Sequence, residues 1–375
     1  MTHKPQSSIA RHFEQVEDPR IERSKAHLLI DILTIAILAV ICGADGWVGM
    51  ESYGKAKEPW LRTFLELPHG IPSHDTFTRV FARLEPEQLQ NAFLSWVRGV
   101  SQLTDGEVIS IDGKRVRHSY DQGKQQGAIH MVSAWASQNR LVLAQHKVDA
   151  KSNEITAIPA LLKVLDLEGC IVTIDAMGTQ KAIAQQIVAQ GGDYVLALKG
   201  NQGGLYEDVQ QLFDWARIQD FENIEHDFYE TIDAGHGRIE KRRCWSLSQV
   251  QGLLDSQQWT KLTSIAMVEA IREENGHTSR AVRFYISSLA SDAQQLAKAI
   301  RTHWKVENPL HWVLDVVLRE DDCRIRTGHA PENLVVLRHL AVSALNQEKT
   351  AKLGVKNKRL RAGWDNDYLL KVIAG

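Results

Sequence analysis

The sequence predicts an α/β protein built on one mixed sheet, with a helical region before the sheet and a β-rich insertion within it. Three consecutive segments rich in Val, Ile, Leu and Ala read as strands, at 107–112, 129–136 and 141–148. Helix and strand patterns then alternate, at roughly 155–166, 170–174, 180–190 and 193–198. Three antiparallel strands followed by αβαβ is the layout of a ribonuclease-H-like core, whose first part we place at 105–205.

The region before this core reads as helical. Residues 1–24 are polar and predict a loosely held arm, and 25–104 predict an N-terminal helical domain. Apolar residues recur there at three- and four-residue spacing, and Ser73 is a good N-cap for a helix that follows it. That helix carries Thr76, Thr78 and Arg79, which either enter a DNA groove or form hydrogen bonds within the first turn.

The remainder of the chain divides into three parts. Residues 206–290 predict the β-rich insertion, with strand-like pieces near 244–247, 262–268 and 282–289 separated by polar turns. Residues 291–348 predict the final helices, beginning with a capping box at Ser291 and Gln294 and interrupted or ended near Pro309. Residues 349–375 form a basic tail that either contacts phosphates or is simply solvated. Its charged residues include Lys352, Lys356, Lys358, Arg359 and Arg361.

Composition excludes several classes of protein. The net charge is −2, so DNA binding would depend on local basic clusters rather than on overall charge. The four cysteines are far apart and the histidines form no HExxH motif, which argues against a disulfide framework and a zinc site. The most apolar run, 28–44, contains Asp31 and is too short for a confident membrane span. We therefore expect a cytoplasmic protein with no membrane association.

Three acidic residues form the candidate catalytic site. Asp112 and Asp175 each follow an apolar, β-branched strand, and Glu307 lies in a helical stretch rich in His and Trp. If these carboxylates converge, they form an oxygen site suited to Mg²⁺, with Mn²⁺ as a substitute, for displacement at a phosphodiester. Each residue also has an ordinary structural interpretation: an Asp-Gly turn at Asp112, a helix cap at Asp175 and a solvated charge at Glu307.

Basic and amide side chains near these motifs are candidate phosphate contacts. They are Lys114, Arg115, Arg117, Lys151, Lys199, Asn201, Arg324 and Arg326. The alternatives are a solvated loop for the first three and ion pairs with residues 320–322 for the last two. Trp304 and Trp312 flank Glu307 and could stack on a base, although Trp304 falls on the apolar stripe of its helix and is better explained by core packing.

Several motifs together resemble one family. The segments IDGKRVR (111–117), TIDAMGTQKAIA (173–184), DYVLALKGNQ (193–202) and HWKVENPLHWVLDVVLRED (303–321) occur in the order found in the H-repeat-associated DDE transposases. The resemblance implies a ribonuclease-H-like catalytic core interrupted by an insertion, with Asp112, Asp175 and Glu307 as metal ligands. It also implies double-stranded DNA substrates, the terminal inverted repeats of a mobile element and its target.

The resemblance leads to a functional prediction with two alternatives. We expect a Mg²⁺-dependent DNA transposase, acting as a homodimer on DNA in the bacterial cytoplasm and nucleoid. The alternatives are a metal-dependent nuclease on the same fold and an inactive, domesticated DNA-binding protein. One signature of related transposases is missing: Tyr, Arg and Lys around the glutamate are replaced by Ile300, His303 and Leu314.

Overall fold

The computed structural model describes residues 8–120, 127–148, 153–222, 224–235 and 237–374. The helices in its N-terminal part are α1 Ser8–Phe13, α2 Leu29–Cys42, α3 Trp47–Leu61, α4 His74–Arg83 and α5 Pro86–Val100. Those in the rest of the chain are α6 Glu154–Lys163, α7 Lys181–Ala189, α8 Gly204–Ile218, α9 Ala293–Lys305, α10 Ala330–Gln347, α11 Val355–Trp364 and α12 Asn366–Ala374. A π-helix spans Glu307–Val317.

Within the described residues, nine strands form a single sheet in the order β3-β2-β1-β4-β5-β9-β8-β7-β6. The core strands are β1 Val108–Arg115, β2 His130–Ala136, β3 Leu141–Lys147, β4 Ile171–Ile174 and β5 Asp193–Leu198. The others are β6 His226–Gly235, β7 Arg238–Leu247, β8 Ser264–Glu274 and β9 His277–Ser287. The first three strands are antiparallel, and β4 and β5 add in parallel beside β1, which confirms the predicted α/β fold with a mixed sheet.

Strand β1 is longer than predicted, and this changes the setting of Asp112. Its parallel pairing with β4 stops at Ile111 opposite Ile174. Its antiparallel pairing with β2 continues through Asp112 and Gly113 to Arg115. The interpretation of Asp112-Gly113 as a turn is therefore wrong, because both residues belong to a ladder with β2. Asp112 lies at the point where β1 extends beyond its neighbour β4.

The insertion extends the same sheet instead of forming a separate layer. Strand β9 pairs antiparallel with β5, and β8, β7 and β6 follow outward as long hairpins. Sequence reasoning found only the apolar inner ends of β7, β8 and β9, and it missed β6. Their outer ends are charged and largely exposed on both faces, so the alternation that marks a half-buried strand is absent there.

Both ends of the chain pack more closely than predicted. Ile9 and Phe13 of α1 are buried in the main core, so the expected loose arm is not seen from Ser8 onward. Near the C-terminus, Lys358 and Arg359 are buried rather than solvated. The guanidinium of Arg359 donates to the carbonyl oxygens of Val40 and Val317, so it satisfies acceptors at the ends of two other helices.

The final helical segment changes its hydrogen bonding near Glu307. Helix α9 begins after Asp292, whose carboxylate accepts the N–H of Gln295, so the N-cap lies one residue beyond the predicted Ser291. The α-helix ends at Lys305, as expected from the nearby proline, but the chain continues as the π-helix, which contains Pro309. A helical path is thus kept past the proline by a change of pitch.

Among the described residues, no single helix is long and apolar enough to cross a membrane. In the same part of the chain, α2 and α3 are long and apolar enough only when taken together, and they are bent by 97° where they join.

Candidate active site

Asp112 provides a largely buried carboxylate at the centre of the site. It lies in β1 opposite Ser133 of β2, and its Oδ1 accepts the backbone N–H of Gly113 at 2.8 Å. Only 23% of its side chain is exposed. A single hydrogen bond leaves this carboxylate poorly compensated for the loss of water, so it is suited to bind a cation.

The π-helix brings two more ligand-type side chains to Asp112. The Nδ1 atom of His311 lies 3.4 Å from Glu307 Oε2 and 3.7 Å from Asp112 Oδ2. One ligand atom from each of the three residues falls within 4.8 Å of the others, which is close enough for a shared metal ion. Glu307 is 61% exposed, whereas His311 is 8% exposed. The imidazole therefore forms the buried side of the cluster and the glutamate its open side.

Asp175 lies beside this cluster but outside it. Its strand β4 neighbours β1 in parallel, and the register that pairs Ile111 with Ile174 makes Asp112 and Asp175 the next residues along. Asp175 Oδ1 accepts backbone N–H groups of Met177 and Gly178 at 3.1 and 3.2 Å. It closes a turn and does not cap α7, whose N-cap is Gln180. The negative charge of Asp175 nevertheless contributes to raising the pKa of Asp112.

Two side-chain pairs around the site were missed by sequence reasoning. His130 Nε2 lies 2.8 Å from Glu154 Oε1, and a Cβ added at Gly113 would collide with both side chains. The absence of a side chain at Gly113 therefore leaves room for Glu154 and His130 to lie beside Asp112 in this arrangement. On the other side, His303 Nδ1 lies 3.1 Å from Thr173 Oγ1 and joins α9 to β4. No sequence signal indicated these contacts, because each joins residues distant in the chain.

Burial and neighbouring carboxylates alter the protonation of the site. Burial first, and then the charges of Glu307, Glu154 and Asp175, raise the pKa of Asp112 to about 7, although the Gly113 hydrogen bond opposes this. Burial lowers the pKa of His303 to about 4, so this imidazole is neutral at physiological pH. A bound cation would reduce the repulsion among these neighbouring carboxylates.

The raised pKa of Asp112 predicts a pH dependence of stability. Between the ordinary value of 3.8 and about 7, the folded protein keeps a proton that the unfolded chain has lost. In metal-free buffer this protonated carboxyl group therefore stabilises the folded protein at low pH. The stabilisation is lost as the pH rises through about 7, which lowers the free energy of unfolding by up to about 4 kcal/mol. We expect the stability gained by Asp112→Asn, relative to wild type, to be larger at pH 8 than at pH 5 in urea unfolding. An equal gain at both values would contradict the shift.

Lys114, predicted to contact phosphate, is used within the protein. Its Nζ lies 2.5 Å from Asp315 Oδ1 and 2.7 Å from Glu320 Oε2. Burial alone would raise the pKa of Glu320, but the charges of Lys114, Arg338 and His339 outweigh it and hold that pKa below its ordinary value. The prediction for Lys114 is wrong because the ammonium is buried among carboxylates, where it joins β1 to the π-helix and the segment after it.

The other predicted phosphate contacts differ in their availability. Arg115, Lys199 and Arg324 are exposed. Arg117 is exposed too but lies 3.4 Å from Asp321. Asn201 donates to the carbonyl oxygen of Ala176, and Arg326 donates to that of His118 and lies over the Tyr120 ring. Lys151 lies outside the described residues.

Of the two tryptophans that flank Glu307, Trp304 is 42% exposed, so the prediction that it packs in the core is wrong.

Comparisons with known proteins show the family to which the chain belongs. Residues 103–344 match the family profile described as "Transposase DDE domain", and residues 10–97 match the profile described as "DDE_Tnp_1-associated". The chain is 41% identical to "H repeat-associated putative transposase YhhI" of Escherichia coli strain K12, over 98% of each chain. It is 40% identical to "Putative transposase YncI" of Escherichia coli O157:H7, over 98% of this chain and 94% of that protein.

Proposed function

The chain belongs to the family of transposase DDE domains, and on that premise we propose that it is a Mg²⁺-dependent DNA transposase. It would cleave DNA at the ends of a mobile element and join the resulting 3′-hydroxyl groups to target DNA. The observation that carries this proposal is the convergence of Asp112 and Glu307, with Asp175 on the neighbouring strand. Two ends must be held together for joining, so we propose a homodimer on DNA, acting in the cytoplasm.

The donor set fits the proposed cofactor. Carboxylate oxygens suit Mg²⁺ and Mn²⁺, and the His311 nitrogen is a ligand that Mn²⁺ also accepts. Asp112 would be shared by two ions, with Asp175 and Glu307 each completing one. Bound ions of this kind activate the attacking hydroxyl and neutralise charge that develops on the phosphorus.

The protein's own residues hold this arrangement in place. Asp112 is fixed on a strand that is paired on one side, and His311 holds Glu307 from the buried side of the cluster. His303, neutral and bonded to Thr173, packs the end of α9 against the strand that carries Asp175. Hydrogen bonds and contacts of this kind orient the metal ligands, and their loss usually lowers metal affinity or activity substantially.

The proposal is tested with the DNA that flanks this gene. Purified protein is incubated with a labelled duplex carrying the flanking inverted repeat, in Mn²⁺ or in EDTA, beside Asp112→Ala and Asp175→Ala. We expect cleavage at the repeat end that requires metal and both aspartates, together with joined products when a target duplex is added. Cleavage without joining would instead indicate a metal-dependent nuclease. Binding without cleavage would indicate a DNA-binding protein that has lost catalysis.

A further inference from the structure

A cleft of about 650 Å³ lies between helix α9 and the sheet extension. Its floor is one face of β6 to β9, where Tyr229, Cys244, Val268 and Arg283 are successive cross-strand neighbours. Its wall is α9, which contributes residues at helical spacing from Gln294 to Lys305. Since Lys305 precedes Glu307 by two residues, the cleft ends next to the proposed catalytic cluster.

The lining of this cleft is strongly basic. Seven of its residues are arginine or lysine and two are acidic: Arg238, Arg242, Arg243, Arg283, Lys298, Arg301 and Lys305, against Asp233 and Glu240. Both acidic residues pair with Arg242 and lie within 4 Å of Arg301. Burial, together with the nearby charge of Arg242, lowers the pKa of Arg301. The carboxylates present thus neutralise only part of the positive charge.

Four of these cations have no counterion among the residues that the structure describes. Within the described ranges, no carboxylate lies within 4.0 Å of the charged nitrogens of the exposed residues Arg238, Arg283, Lys298 and Lys305. Arg283 is also oriented, because its guanidinium lies 4.5 Å from the centre of the Trp304 ring. The Trp304 indole N–H in turn donates to the Tyr285 hydroxyl at 3.5 Å. Unpaired cations on a rigid sheet and helix are suited to a polyanion.

We propose that this cleft binds the phosphodiester backbone of the DNA strand that leads to Asp112 and Glu307. The inference rests on the proposed function, because DNA is the polyanion that this site would act on. It also explains how a protein with a net charge of −2 holds DNA although Lys114 is used internally. An acidic protein segment is the competing occupant, but the position of the cleft directly before Glu307 favours the reacting strand.

The test measures DNA binding separately from cleavage. Affinity for the labelled inverted-repeat duplex is measured in EDTA over a range of salt concentrations. The variants are Arg238→Gln with Arg283→Gln, and Lys298→Gln with Lys305→Gln. The control is Lys163→Gln with Lys371→Gln, which removes two exposed cations from α6 and α12. Melting temperatures verify that every protein is folded.

Each cleft variant is expected to bind about tenfold more weakly, with a slope of log K against log salt that is smaller by about one to two. The control should match wild type. Wild-type affinity and slope in both cleft variants would overturn the inference while leaving the proposed function intact. Failure of wild type itself to bind DNA would overturn both. Loss of binding to a polyglutamate peptide alone would assign the cleft to an acidic protein and also overturn the inference.

Discussion

Asp112→Asn is expected to abolish the rise in melting temperature that Mn²⁺ produces and to reduce DNA cleavage about a thousandfold. A metal that binds only the folded site stabilises it by about 2.7 kcal/mol at a hundredfold excess over its dissociation constant. The asparagine keeps the size of the side chain but removes the charge from the most buried carboxylate of the cluster. A catalytic metal contributes several kcal/mol to the transition state, which sets the size of the kinetic loss.

The matched control is Asp214→Asn, which removes an exposed carboxylate from α8. It should leave the metal response and cleavage at wild-type values. Differential scanning fluorimetry with and without Mn²⁺ measures the first effect, and single-turnover cleavage measures the second. A full metal-induced shift in Asp112→Asn would remove Asp112 from the metal site, and unchanged cleavage would remove it from catalysis.

Lys114→Met is expected to lower the free energy of unfolding by about 3–5 kcal/mol, because it leaves Glu320 buried without its main counterion. The side chain of Glu320 is 1% exposed, so water cannot replace the lost ammonium. The salt dependence of DNA binding should stay the same, since Lys114 Nζ is held by Asp315 and Glu320 rather than free for phosphate. Urea unfolding and DNA titrations measure the two quantities.

The double variant Lys114→Met with Glu320→Gln separates charge burial from general damage. Removal of both charges should recover part of the lost stability, since Glu320 is no longer a buried anion. The recovery should be incomplete, because the buried Arg338 lies 3.8 Å from Glu320 and loses that carboxylate. Arg115→Met is the comparison on the same strand, because Arg115 is exposed and open to phosphate. If Lys114→Met were fully stable but reduced the salt slope by about one, Lys114 would be a phosphate contact after all.

Local sequence patterns were sufficient to predict the core strands of the fold. The β-branched segments before Asp112 and Asp175 predicted β1 and β4, and their bounds agree with the structure within a few residues. Burial on both faces of a central sheet requires a continuous apolar run, and such a run is visible in sequence. Strand β6 and the outer halves of β7 to β9 were missed for the opposite reason, since they are held by strand pairing and their side chains are largely polar and exposed.

The sequence by itself determined the α/β class, the order of the core strands and the three acidic motifs. Only the tertiary structure decided which charges are free. Lys114 and Glu320 are 206 positions apart and yet form a buried ion pair, and Arg359 reaches carbonyl groups on two other helices. The pairing of charges depends on which elements come together, and this is not encoded by neighbours in the chain. The same reason leaves four cations in the cleft beside α9 unpaired among the described residues, whereas Lys114, two residues from Asp112, is paired within the protein.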